Sequence, residues 1–144
     1  MKAFFRGSLA VLLGLLVGSI VNMGLVLLSP HVIPPPPGVD VGDAKSIRAS
    51  IHLFEPKHFV FPFLAHALGT LCGAAVGYLV ALRYRLGISF VIGTLFLAGG
   101  IAAASMIPAP AWFIAVDLLL AYLPMAWLGA LLGRSLKKEA VHAP

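Results

Sequence analysis

Four long apolar segments constrain the fold of this chain more than any other feature. They cover residues 4–28, 59–82, 86–107 and 111–133, and each is close to the roughly 20 residues that cross about 30 Å of hydrocarbon as an α-helix. A helix satisfies its own backbone hydrogen bonds in lipid, whereas membrane barrels use alternating strands of about ten residues. The sequence therefore predicts an all-α, integral membrane four-helix bundle that forms a single transmembrane domain over residues 1–144.

The composition excludes the soluble classes. Of the 144 residues, 60% are hydrophobic and 10% are charged, whereas soluble domains have about 45–50% apolar and about 25% charged residues. A soluble domain of this size has too little interior to bury that much apolar surface. The formal net charge is +5, but the basic residues are scattered between the apolar segments. They do not form one basic face, so we expect no nucleic-acid partner.

The basic residues instead predict an orientation. Seven of them lie at one end of the predicted bundle: Lys2, Arg6, Arg83, Arg85, Arg134, Lys137 and Lys138. The long connection at residues 29–58 is neutral, with three basic and three acidic residues. By the positive-inside rule, both termini are cytoplasmic and this connection lies outside the cell inner membrane. The first segment is too long for the apolar region of a signal peptide and lacks a cleavage site, so we expect a retained helix.

The 29–58 connection has one helical pattern of its own. Asp43 is a suitable N-cap for a helix over residues 44–54. Ile47, Ile51 and Phe54 recur on one face of that helix, which is typical of a short interfacial helix lying flat on a membrane. A lid over a binding site and a structured connector are alternatives.

Small residues at GxxxG spacing predict close helix packing. They are Gly14 and Gly18 in the first segment, Gly69, Gly73 and Gly77 in the second, and Gly129 and Gly133 in the fourth. Close backbone approach drives helix association in lipid, so the first two segments are expected to pack tightly. The glycines of the fourth segment suit packing within the bundle or between copies, which leaves a homo-oligomer open. Membrane lipids are the expected surroundings.

Polar residues at membrane depth are the candidate functional residues. Asn22, His66 and Asp117 lie on three different segments, each roughly 9–11 Å below the outer hydrocarbon boundary at about 1.5 Å per residue. Thr70 and Tyr122 are expected deeper in the same cluster. Thr94, Ala98 and Ser105 are expected on the inward face of the third segment, and Pro124 is expected to kink the fourth.

Asp117 is the only charged residue predicted inside the hydrocarbon, where a carboxylate needs a partner. His66 is the nearest candidate, and such a pair can relay protons, orient a base or hold an ionic substrate. The alternative is a hydrogen-bonded cluster that only fixes the bundle. Glu55 and His58 add candidate metal ligands, but the spacing from His58 to His66 argues against a shared metal. We therefore expect no metal and no cofactor.

Four stretches carry a resemblance that covers most of the chain: GSIVNMG at 18–24, PPPPGVD at 34–40, FPFLAHALGT at 61–70 and DLLLAYLPMAW at 117–127. They resemble those of small four-span bacterial inner-membrane proteins, a group with no assigned activity. The resemblance implies a layout and no mechanism.

Three functional interpretations follow from the sequence. The first is a polytopic membrane protein with no assigned function and a polar Asn/His/Asp cluster near the outer leaflet. The second is a small proton-linked transporter or carrier that uses His66 and Asp117. The third is an intramembrane enzyme or a lipid- or quinone-binding protein. Enzyme motifs such as a phosphate-binding loop or a nucleophile elbow do not occur in the sequence, which favours a non-catalytic role.

Overall fold

The computed structural model describes residues 2–107 and 109–142, and within these ranges the chain is helical, with no strand. Two short 3-10 helices cover Ile51–Leu53 and Pro56–Phe59. The six α-helices are α1 (Lys2–Val32), α2 (Ala44–Ser50), α3 (Val60–Val80), α4 (Arg85–Met106), α5 (Ala111–Leu120) and α6 (Leu123–His142).

Four stretches are long and apolar enough to cross a membrane: Phe5–Val32, Pro56–Val80, Arg85–Met106 and Ala111–Lys138. Large apolar side chains are exposed along them, for example Leu12, Ile20 and Leu119, each more than 60% exposed. A soluble monomer rarely exposes contiguous apolar surface on this scale. The prediction of an all-helical chain with four segments fit to span a membrane is therefore confirmed.

The first span is longer than predicted. Helix α1 continues to Val32, beyond the expected end at residue 28, and contains Pro30 in its last turn. The helical hydrogen bonds resume after this proline, since the Ile33 amide donates to the Ser29 carbonyl at 2.9 Å. Four prolines follow at residues 34–37. Because prolines have no amide hydrogen to donate, the helix cannot continue into them.

The fourth span consists of two helices. Helix α5 ends at Leu120 and α6 begins at Leu123, with Ala121 and Tyr122 in a turn between them. Pro124 cannot donate a hydrogen bond to the Leu120 carbonyl, so the regular α-helical pattern breaks just before it. The break lies next to the predicted kink, and both of its residues are buried.

Glycines bring the helix backbones together around α3. A Cβ atom added to Gly73 would lie 2.5 Å from the Gly14 carbonyl oxygen, and one added to Gly18 would lie 2.6 Å from that of Gly69. On the other side of α3, a Cβ added to Gly133 would lie 3.0 Å from the Ala75 carbonyl oxygen. Gly77 instead faces the side chains of Ile92 and Ile88 on α4, and Gly129 faces the backbone of α3 at Leu71. Helices α1 and α6 thus pack on α3 through backbone contacts that larger residues would prevent.

The inward face of α4 differs from the prediction. Thr94, Ala98 and Ser105 are exposed, and the buried residues of α4 are Ser89, Ile92, Gly93 and Gly100. Small residues rather than polar ones determine this packing, because Gly93 lies against Ala126 and Gly100 against the ring of Tyr122. Helices α3 and α4 also share a polar contact, in which the Ser89 hydroxyl donates to the Ala74 carbonyl at 2.9 Å.

Candidate functional site

His66 and Asp117 form a close pair between α3 and α5. The His66 Nδ1 atom lies 2.9 Å from both carboxylate oxygens of Asp117. The Asp117 side chain is only 6% exposed, whereas that of His66 is 26% exposed. The carboxylate is therefore shielded by protein, and the imidazole is the member of the pair that a ligand can reach.

Tyr122 completes this arrangement from the turn between α5 and α6. Its hydroxyl donates to Oδ2 of Asp117 at 3.0 Å, and its ring stacks on the imidazole of His66 with centroids 5.7 Å apart. Tyr122 is 1% exposed. The sequence placed Tyr122 deeper than the pair, but its side chain extends back from the turn and its hydroxyl reaches Asp117. His66, Asp117 and Tyr122 are called the polar triad below.

The other two residues of the predicted cluster lie beside the triad. Asn22 packs on α3, because a Cβ atom added to Gly69 would lie 3.1 Å from the Asn22 Cβ. Its amide makes no hydrogen bond to His66 or Asp117, all three being described residues. Thr70 is fully buried one turn beyond His66, and its hydroxyl has no partner among the described residues. Of the five candidates, three are hydrogen-bonded together.

A cavity of about 300 Å³ lies against His66 and Asp117 of the triad, and we call it the loop-end cavity because residues 33–59 form part of its wall. Along α3 it is lined by Pro62 and His66, just after Phe59 of the preceding 3-10 helix. Along α5 it is lined by Phe113, Ile114, Asp117 and Leu118. His66 is the lining residue of α3 farthest from the 33–59 segment. The pair therefore sits at the base of the cavity.

Most of the other lining residues are apolar. Helix α1 contributes Val26 and Pro30, and α4 contributes Gly100, Ala103, Ala104 and Ile107. The polar side chains in the lining are those of Ser29, His58, His66 and Asp117. An apolar pocket with a few convergent polar groups is the usual form of a small-molecule site in proteins.

The 33–59 segment forms one wall of the cavity. Its helix begins as predicted, with Asp43 accepting a hydrogen bond from the Lys45 amide at 3.0 Å, but α2 ends at Ser50 and a 3-10 helix follows. The apolar residues Ile47, Ile51 and Phe54 all line the cavity. The three half-buried residues of this pattern thus lie on the side of the segment that faces the cavity. Arg48 connects this segment to the end of α4, because its Nη2 atom donates a hydrogen bond to the Met106 carbonyl at 2.7 Å.

His58 is a lining residue that the sequence suggested only as a candidate metal ligand. The Glu55 amide donates to its Nδ1 atom at 2.9 Å, within a capping box. A signal for its position existed, because His58, Pro62 and His66 recur every four residues, the spacing of one helix face.

The triad does not assemble a metal site of ordinary type. No three His, Cys, Asp or Glu side chains lie close enough to share a metal ion in the part of the chain that the structure describes. What the triad offers is a hydrogen-bonded chain of tyrosine hydroxyl, carboxylate and imidazole. The Nε2 atom of His66 has no hydrogen-bond partner among the described residues, so it is the atom that a ligand in the cavity would meet.

No protein-family model, no curated protein and no solved structure matches the chain. The chemistry of the site has to be inferred from its geometry.

Proposed function

We propose that this protein is a multi-pass protein of a bacterial inner membrane, with both termini cytoplasmic, that binds a lipid-soluble ligand in the loop-end cavity. The ligand's apolar part fills the cavity and its small polar head meets His66. The observation that carries this proposal is an apolar cavity, with the 33–59 segment as one wall and an imidazole–carboxylate pair at its base.

The size and depth of the cavity support this kind of ligand. About 300 Å³ is at the lower end of the roughly 300–1,000 Å³ range of small-molecule pockets, so the ligand is compact or binds only in part. In the proposed orientation His66 lies roughly 10 Å below the outer hydrocarbon boundary. A charged headgroup at that depth would lose its hydration, whereas an uncharged oxygen loses much less. Quinones, ketones and alcohols with apolar tails are therefore better candidates than phospholipid headgroups.

Membrane lipids are the proposed source of the ligand and the surroundings of the bundle. The glycines of α6 pack on α3 of the same chain. A homo-oligomer is compatible with this packing and is part of the proposal only as an open possibility of assembly.

Binding can be measured through Trp112. Its ring packs against those of Phe59 and Phe113, with centroids 5.7 and 5.9 Å apart, and both of these rings line the cavity. In nanodiscs, with Trp127→Phe to leave one tryptophan, chain-brominated long-chain methyl ketones and alcohols are expected to quench Trp112 saturably. His66→Ala is expected to weaken binding of both probes by roughly two- to tenfold, the value of one hydrogen bond.

Two further variants make this test specific. Ala104→Phe fills the cavity without touching the triad, and it is expected to remove the saturable component while the helical content is unchanged. His52→Ala changes an exposed histidine that does not line the cavity, and it should bind both probes as the parent does. Quenching that stays equal in Ala104→Phe would come from bulk lipid, and the proposal would then be wrong.

The hydrogen-bonded chain from Tyr122 through Asp117 to His66 supports a second candidate, a proton-linked carrier. In proteoliposomes, a pH gradient would then drive uptake of a carried substrate. Tyr122→Phe removes the end of the chain without removing the pair, and it is expected to lower proton uptake measured with an internal pH dye by several-fold. Proton uptake that is equal in parent, Tyr122→Phe and protein-free vesicles would exclude this candidate.

A further inference from the structure

We propose that the turn between α3 and α4 forms a second binding site, which takes the headgroup phosphate of an anionic phospholipid such as a phosphatidylglycerol. The site is an open groove of about 660 Å³, which we call the turn groove. Its lining consists of Tyr78, Leu82, Arg83, Tyr84, Arg85, Leu86 and Gly87. It shares no lining residue with the loop-end cavity, so the two sites are independent.

The turn groove lies at the depth of the lipid phosphates. Of the four stretches able to cross a membrane, the second ends at Val80 and the third begins at Arg85. The residues between them therefore lie at the edge of the hydrocarbon, beside the headgroups. Tyr84 is 82% exposed there, and tyrosine is enriched at this depth because its ring is apolar and its hydroxyl is polar. The headgroup layer is thus the nearest source of a ligand.

The charge of the groove is positive and is not neutralised by its lining. Arg83 and Arg85 both line it, and none of its described lining residues is acidic. The Nε atom of Arg85 donates to the Ala81 carbonyl at 2.8 Å, whereas its two terminal nitrogens have no hydrogen-bond partner among the described residues. The guanidinium of Arg83 makes no hydrogen bond within the described part of the chain. A guanidinium presents several N–H donors in one plane, which match the oxygens of a phosphate.

Two tyrosine rings hold these arginines in place. The guanidinium carbon of Arg83 lies 5.8 Å from the ring centroid of Tyr84, and that of Arg85 lies 5.8 Å from the ring centroid of Tyr78. Tyr78 is itself packed on α6, since a Cβ atom added to Gly133 would lie 3.0 Å from the Tyr78 Cβ. Such cation–π contacts reduce the side-chain freedom that is lost when a ligand binds.

The other lining residues favour a lipid over a free phosphate. Leu82 and Leu86 are exposed and line the same groove as the arginines, so apolar surface lies beside a bound phosphate for the start of an acyl chain. The net charge of the groove also selects among phospholipids, because the arginines repel the cationic amine of a zwitterionic headgroup. A phospholipid with a net negative charge is therefore the best match.

Further basic residues surround the groove. The Nε atom of Arg6 donates to the Val80 carbonyl at 3.3 Å, and Arg134 directly follows Gly133, which packs on Tyr78. Glu139 of α6 is the one acidic residue that the sequence places at this end of the bundle. An excess of positive charge attracts anionic lipids to this end, and salt screens that attraction.

The test measures which lipid lies beside the groove in the full-length protein. Leu79→Trp places a tryptophan at an exposed position of α3 outside the lining, and Trp112→Phe with Trp127→Phe removes the native ones. Bilayers mix phosphatidylglycerol with phosphatidylcholine, and the acyl chains of one lipid or the other are brominated. One arginine near the bilayer surface favours an anionic lipid by about fivefold at low salt. Quenching is expected to show at least that preference for phosphatidylglycerol, and equal quenching by the two lipids would overturn the inference.

Two variants separate the groove from the general charge of this end. Arg83→Gln is expected to lower the preference by about fivefold, and it should fold because Arg83 is exposed and has no hydrogen bond to lose. Arg134→Gln removes the same charge at an exposed position outside the lining, so screening should limit its effect to less than about twofold. Equal losses in the two variants would show a diffuse attraction and would overturn the site.

A competition experiment separates a lipid from a soluble phosphate ester. Glycerol phosphate lacks the acyl chains that would contact Leu82 and Leu86, so millimolar concentrations at constant ionic strength are expected to leave the quenching by brominated phosphatidylglycerol unchanged. Displacement of the brominated lipid would contradict the assignment of a lipid. Neither result bears on the loop-end cavity, whose ligands are measured through Trp112.

Discussion

Replacing Gly73 with leucine is expected to lower the free energy of unfolding by about 1–3 kcal/mol or more, the range for overpacked cores. A Cβ atom at this position would lie 2.5 Å from the Gly14 carbonyl oxygen, and Phe96 lies on another side at 3.3 Å. The nearest obstacle is backbone and cannot rotate away, so α1 must move off α3. Unfolding by SDS in mixed micelles, followed by loss of helix, measures the change.

Gly99→Leu is the matched control. Gly99 also lies in a membrane-spanning helix, but a Cβ atom there would meet nothing within 4 Å. The same substitution at this exposed position should change the free energy of unfolding by less than about 0.5 kcal/mol. Equal losses in Gly73→Leu and Gly99→Leu would show that the contact with the Gly14 carbonyl does not determine the effect, and the close packing of α1 on α3 would be wrong.

The spans could be predicted because length and apolarity decide them almost alone. A run of some 20 apolar residues has one low-energy conformation in lipid. The ends of the spans were harder to predict, since α1 continues past Pro30 and ends before the prolines at 34–37. A single proline near the end removes one hydrogen bond, whereas consecutive prolines also fix the backbone away from the helical region.

The inward face of α4 was predicted wrongly because the sequence was interpreted by polarity. A Thr or Ser hydroxyl in a helix can donate a hydrogen bond to a backbone carbonyl of the same helix. Ser105 does so, donating to the Ala102 carbonyl at 2.6 Å. Such residues tolerate lipid. Close packing requires missing side-chain volume instead, which Gly93 and Gly100 provide beneath Ala126 and Tyr122. In membrane helices, small size was the better guide to the interior than polarity.

The contact between His66 and Asp117 could be predicted from the sequence, because both residues lie at the same depth and polar groups in lipid are stabilised by pairing. The hydrogen bond of Tyr122 to Asp117 could not be predicted from the sequence, because it depends on the turn between α5 and α6. The cavity could not be predicted either. It arises from the way the 33–59 segment folds back over the bundle with Ile47 and Phe54 inward, and no local periodicity encodes that direction.

Replacing Asp117 with alanine is expected to give the second large effect on stability. The substitution leaves the Tyr122 hydroxyl, which is 1% exposed, without its acceptor. An unpaired buried donor costs about 1–3 kcal/mol. His66 also loses its partner, but its partly exposed ring can turn towards the cavity and so contributes less. Unfolding in mixed micelles at one fixed pH measures the sum.

The double variant Asp117→Ala/Tyr122→Phe tests the cause of that loss. Removing the unpaired hydroxyl along with its acceptor should restore part of the stability, so the double variant is expected to unfold at a higher denaturant concentration than Asp117→Ala alone. Tyr122→Phe alone should be destabilising, because it removes a hydrogen bond from a carboxylate that is 6% exposed at the side chain. Additive losses in the double variant would show that the hydroxyl and the carboxylate do not depend on each other. The proton-linked carrier would then lose its support, because it depends on the hydrogen bond from the Tyr122 hydroxyl to Asp117.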